Sequence, residues 1–70
     1  MSEAQDRIRT LLLRGDNLLK SGRPERLQRA VETFEEAGRV AEDPAIDERT
    51  RELVRRRLAA TRALGAADGG

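Results

Sequence analysis

The sequence predicts an all-α fold of three helices, a helical hairpin followed by one further helix. Three observations carry that expectation. Apolar residues recur at three- and four-residue spacing in three separate runs. Gly and Pro punctuate the gaps between the runs. No stretch keeps the period of two that a half-buried strand requires.

The first helix is expected over about residues 3–21, with Ser2 as N-cap and Glu3 and Asp6 near the positive end of its dipole. Ile8, Leu11, Leu12, Gly15, Leu18 and Leu19 form its apolar face. Ser21-Gly22 supplies a stop, because Gly enters the left-handed region without strain, and Pro24 suits the first position of a new helix. The second helix is expected over about 24–41. Its stripe of Leu27, Ala30, Val31, Phe34, Ala37, Gly38 and Ala41 is widened by Thr33 and Val40 to about half the circumference, enough for two neighbours. Glu25→Arg29 and Glu35→Arg39 have the favourable i,i+4 order on its outer side. Glu42-Asp43-Pro44 ends it, since acidic residues oppose the dipole there and Pro44 moves Asp43 out of helical geometry. The third helix is expected over about 46–64, starting at Pro44 or Asp47 and lined by Ile46, Thr50, Leu53, Val54, Leu58, Thr61 and Leu64. Gly65 should stop it, leaving 1–65 as one module and 66–70 as a flexible tail.

Seventy residues make a single domain at most, close to the size below which a core is hard to build. Large apolar side chains are few: nine Leu, two Ile, three Val, one Phe and one Met. Lys+Arg of 14 nearly balance Asp+Glu of 13, and the net charge of +1 argues against a general binder of nucleic acid or anionic membrane. No apolar run approaches the roughly 20 residues of a membrane span, and the first residues lack signal-peptide character, so a cytoplasmic address is expected. Thirteen of the 14 basic residues are Arg and Ala is frequent, a bias typical of high-GC bacterial coding.

Catalytic equipment is sparse. With no Cys and no His, thiolate chemistry, the commonest general base and the commonest metal ligand are missing, so no enzyme activity, cofactor or metal is expected. Glu32, Glu35, Glu36, Glu42 and Asp43 form an acidic stretch, but most lie on one helix and read as a solvated face rather than converging ligands. Lys20 follows Asp16 by four residues, the order of a surface ion pair, and the Ser and Thr residues have no His or second Lys to act as base. Gly69-Gly70 reads as a flexible end.

Residues 8–44 resemble a tetratricopeptide repeat, a helix–turn–helix unit of 34 residues. Gly15 sits mid-way through the first helix with Leu18 three residues on; Ala30, Phe34 and Ala37 follow with the family's spacing, and Pro44 falls near its closing proline. The sequence departs from the pattern at Leu11 and Leu18, where aromatics are usual, and at Arg14, where Leu is usual; the turn around Arg23-Pro24-Glu25 is about three residues longer. The resemblance implies close packing of two helices, a following helix acting as a cap, and protein–protein interaction. Physically, Gly15 and Ala30 offer the small side chains that let two helices approach to about 8 Å, with Phe34 filling the volume beside them.

Charge is unevenly distributed: residues 24–43 carry −3 and residues 47–64 carry +3. Arg51, Arg55 and Arg62 form one candidate basic stripe on the third helix, and Arg49 with Arg56 another. They either balance the acidic second helix or serve an acidic partner. Without an aromatic to stack on bases, nucleic acid is the less supported partner. Arg57 projects into the apolar stripe between Leu53, Val54 and Thr61, so it needs a carboxylate from Asp16, Glu35 or Glu36, or else the stripe is a partner-facing surface. Leu13 is a large apolar residue on the polar side of the first helix. The expected function is therefore a non-catalytic protein–protein interaction or assembly module. It would contact itself, as a homodimer, or a larger assembly through Leu13, Leu53, Val54, Arg57 and Leu58. A small regulatory or antitoxin-like protein using the Arg-rich third helix is the alternative.

Overall fold

The computed structural model describes residues 3–68, and side chains over 3–65. Helices α1 (Glu3–Lys20), α2 (Pro24–Val40) and α3 (Glu48–Asp68) follow one another, joined by turns. The fold is all-α, a hairpin plus a further helix. Ser2, expected as the N-cap, and Gly69-Gly70 lie outside the described residues.

The turn between α1 and α2 is built as its residue types dictate. Gly22 has φ +69°, and its N–H donates to Leu19 O (3.2 Å), while Ser21 Oγ donates to Leu18 O (2.9 Å). Pro24 then opens α2, and the N–H groups of Arg26 and Leu27 donate to Arg23 O. Ala41 caps the other end of α2. In the following turn Asp43 Oδ1 accepts the Ala45 N–H (2.8 Å), folding the chain back around Pro44. Asp47 starts α3: its side chain accepts the Thr50 N–H (3.3 Å) and its carbonyl accepts that of Arg51.

Two apolar clusters give the helix directions. Ile8 and Leu11 meet Ala37 and Ala41, together with Ile46 and Val54. Leu18 meets Ala30 and Phe34, with Leu58 against them. The start of α1 therefore packs on the end of α2, and the start of α3 does the same. Helices α1 and α3 run in one direction, and both use α2 as their support. The wide apolar face of α2 serves these two neighbours.

Phe34 has no exposed surface, and burying its ring is worth about 1.5–3 kcal/mol. Its ring lies directly over Gly15: a methyl group there would overlap Cε1 and Cζ and stand 3.0 Å from Cδ1. The partner of the Gly15 gap is thus the Phe34 ring rather than the expected Ala30, which is itself fully buried. Small residues bring the backbones together, and the one aromatic uses the space.

Three boundaries and pairings differ from the sequence-based expectation. Helix α3 does not stop at Gly65 but continues to Asp68, since a Gly followed by two Ala costs only about 1 kcal/mol in helix propensity. Gly65 is half-buried beside Leu27, where a methyl group would make an ordinary contact. Ile46 is buried but sits in the turn ahead of α3 rather than on the helix. The expected i,i+4 pairs on α2 and between Asp16 and Lys20 give way to contacts across elements. Glu35 accepts from Arg62 (2.7 Å), Glu36 from Arg7 (3.0 Å) and Asp16 from Arg57, while Glu25 stays local, 3.9 Å from the N-cap residue Arg23.

Candidate functional site

Where α3 faces is decided by which part of its stripe α2 accepts. At 100° per residue, Val54, Leu58, Thr61 and Gly65 share one line along α3, and this line enters α2. Val54 and Thr61 are each 2% exposed, Leu58 is half-buried beside Phe34, and Thr61 Oγ1 donates to Arg57 O (2.7 Å), which satisfies the buried hydroxyl. Val54 is therefore a core residue, and Leu58 is largely one. The expectation that both reach a partner is revised, because α3 closes the core within a single chain.

The flank of the same stripe stays open. Thr50, Leu53 and Arg57 face a groove of about 390 Å³ whose opposite wall comes from α1, with Gln5, Arg9, Leu12 and Leu13. Leu13 is 60% exposed and Leu53 43%. Of the five expected contact residues, Leu13, Leu53 and Arg57 are thus brought into one groove, and Val54 and Leu58 are not. Leu64, 54% exposed, lines a second concavity of about 240 Å³ with Leu18, Leu19, Leu27 and Pro24. Sequence reading placed Leu64 on the core stripe; its exposure reflects how α3 is rotated on α2.

Arg57 crosses the groove. Its Nη1 donates to both carboxylate oxygens of Asp16 at 2.5 and 2.7 Å, with both side chains about half-buried. This is the carboxylate that the position of Arg57 demanded, and it ties α3 to α1. The pair closes the polar centre of the groove and leaves Leu13 and Leu53 on its rims.

The candidate basic stripe on α3 is largely occupied from within. Arg51 Nε donates to Ala41 O (2.7 Å) and its Nη2 to Asp43 O (3.1 Å), satisfying carbonyls at the end of α2, while Glu48 holds its other nitrogen (3.1 Å). Arg62 reaches Glu35 of α2, and Arg55 and Arg56 share Glu52. The acidic stretch is likewise dispersed: Glu35 and Glu36 pair with arginines of different helices, and Gln28 donates to Glu32. Among the described residues no three metal-ligating side chains converge, and no helix is long and apolar enough to cross a membrane. One titration is displaced: hydrogen bonds from Thr50 hold the Asp47 carboxyl below its ordinary value.

Comparisons with protein families, with characterised proteins and with solved structures give no match to this chain.

Proposed function

We propose that this chain is a non-catalytic protein–protein interaction or assembly module working through the face shared by α1 and α3. The carrying observation is that Leu13 and Leu53 stand exposed on opposite walls of one groove, in a chain with few large apolar residues to spare. Leu64 extends the exposed apolar set toward the far end of α3. The tetratricopeptide-like character of residues 8–44 belongs to the same proposal. What supports it is the Gly15–Phe34 contact and the docking of a third helix on the second, parallel to the first. In such a unit α3 is the following or capping helix. Its outer residues Arg55, Arg56, Ala59 and Ala63 are all exposed and offer no apolar stripe.

The alternative, a basic third helix presented to nucleic acid or an acidic partner, has less support. Arg51, Arg55, Arg57 and Arg62 already bond to acceptors of this chain. The homodimer also loses its first motive, since α3 completes a core within one chain, and it stands as an outcome of the test. A photo-crosslinking residue at position 13 or 53 in living cells is expected to give a discrete protein adduct that the same residue at position 56 does not. Sedimentation of the purified chain then tells a second copy from another protein. Absence of adducts at 13 and 53, together with a monomer at high micromolar concentration, would sink the proposal.

A further inference from the structure

Charge around the groove says what kind of partner it suits. Arg9 lines the groove beside Leu13, and on the other side of Leu13 a second concavity is lined by Arg14 and Arg26. All three guanidinium residues are exposed, and none has a carboxylate within 4.0 Å among the described residues. The only acid lining either concavity is Asp16, and it is held by Arg57. Arg14 also borders a further hollow whose acids are Asp6, and Glu36 in its pair with Arg7. An apolar ridge at Leu13 is thus flanked on both sides by arginines that are in no ion pair among the described residues, in a molecule whose net charge is only +1.

Three occupants can be compared. A second copy joined two-fold through this face would bring the same arginines of each protomer together, and like charges across an interface oppose association. Nucleic acid would meet the arginines but not the leucines, and the chain has no Trp or Tyr, while its one Phe is fully buried, so no aromatic ring is there to stack a base. A peptide segment that is apolar along one line and acidic on either side satisfies both features.

Resting on the interaction-module reading, we infer that the α1–α3 face receives an acidic amphipathic segment of another protein. Its apolar side chains contact Leu13 and Leu53 on the two rims, over the Arg57–Asp16 pair, and its carboxylates reach Arg9 on one side and Arg14 and Arg26 on the other. Apolar contact with the two leucines gives affinity, and the arginines select sign and speed the encounter.

The test is selection from a display library of random 16-residue peptides on the purified chain, followed by fluorescence polarisation with the enriched sequences. The expected winners carry Leu, Ile, Val or Phe at three–four spacing with flanking Asp or Glu. Leu13→Ala and Leu53→Ala should each weaken binding about tenfold, as removal of a central contact does. Both residues are exposed, so these variants keep the parent's circular dichroism and melting temperature. Replacing Arg9, Arg14 and Arg26 together by Gln should weaken binding and flatten its salt dependence. Winners that are neutral or basic, yet need Leu13 and Leu53, would overturn the acidic assignment and leave the module reading standing. Displacement of the peptide by a single-stranded oligonucleotide at equal charge, with Leu13→Ala and Leu53→Ala bound normally, would overturn it in favour of nucleic acid. No enrichment at all would overturn it as well.

Discussion

In the α1–α2 hairpin, the Phe34 ring covers Gly15 with no exposed surface, and Ala30, Ala37 and Ala41 keep the backbones close. Helix α3 meets the same α2 along the line of Val54, Leu58, Thr61 and Gly65, and its edges are tied by Arg51, Arg57 and Arg62. The hairpin is held by dense apolar contact and α3 by a thinner apolar line framed by charge-assisted hydrogen bonds. The difference teaches where each region is vulnerable. Lost volume should damage the hairpin most, whereas salt and acid should act first on α3.

The largest effect is expected from Phe34→Ala, at about 3–5 kcal/mol, which approaches the whole stability of so small a domain. Thermal and urea unfolding of this variant would show a broad, low transition; a melt like the parent's would place the centre of the core elsewhere. Val54→Asp comes next, at about 3 kcal/mol, because a carboxylate would enter a nearly closed apolar site. Its melting temperature should fall by the same amount at every protein concentration. A loss that shrinks as concentration rises would instead mean that Val54 is covered by a second chain. Gly15→Ala should destabilise by about 1–3 kcal/mol through overlap with Phe34, although Ala is the better helix former. A gain in stability would show that the ring moves aside freely.

Two smaller effects probe α3. Asp16→Asn should cost about 1 kcal/mol or less, since the pair with Arg57 is partly exposed, and the cost should shrink as salt rises from low to high. A salt-independent loss well above that would mean that the pair also fixes the position of α3 on α1. The smallest concerns Asp47, whose carboxyl is held low by Thr50. A depressed carboxyl stabilises the folded chain above its unfolded value, about 3.9, and that contribution disappears as pH falls through the folded value. Asp47→Asn should therefore lessen the drop in stability below about pH 4, while a variant with the parent's acid limb would remove Asp47 from the account.

The three helices, the Ser21-Gly22 stop, the Pro24 start and the central place of Phe34 are legible in the sequence. Each depends on local conformational preference or on periodicity within one helix, which a neighbour need not supply. The candidate site is legible only in part. Leu13, Leu53 and Arg57 stand out by pattern, but Leu53 and Val54 are adjacent residues of one stripe and only the rotation of α3 on α2 separates them into surface and core. The same rotation exposes Leu64 and carries Arg57 to Asp16, overriding the Asp16–Lys20 pairing that sequence spacing favours. Arg51 capping the end of α2, and α3 running past Gly65, likewise depend on a neighbouring element. A helix's period states which residues share a face. How far that face is turned toward its neighbours is set by volume and charge on the other helices, and only the assembled structure holds both sides of that contact.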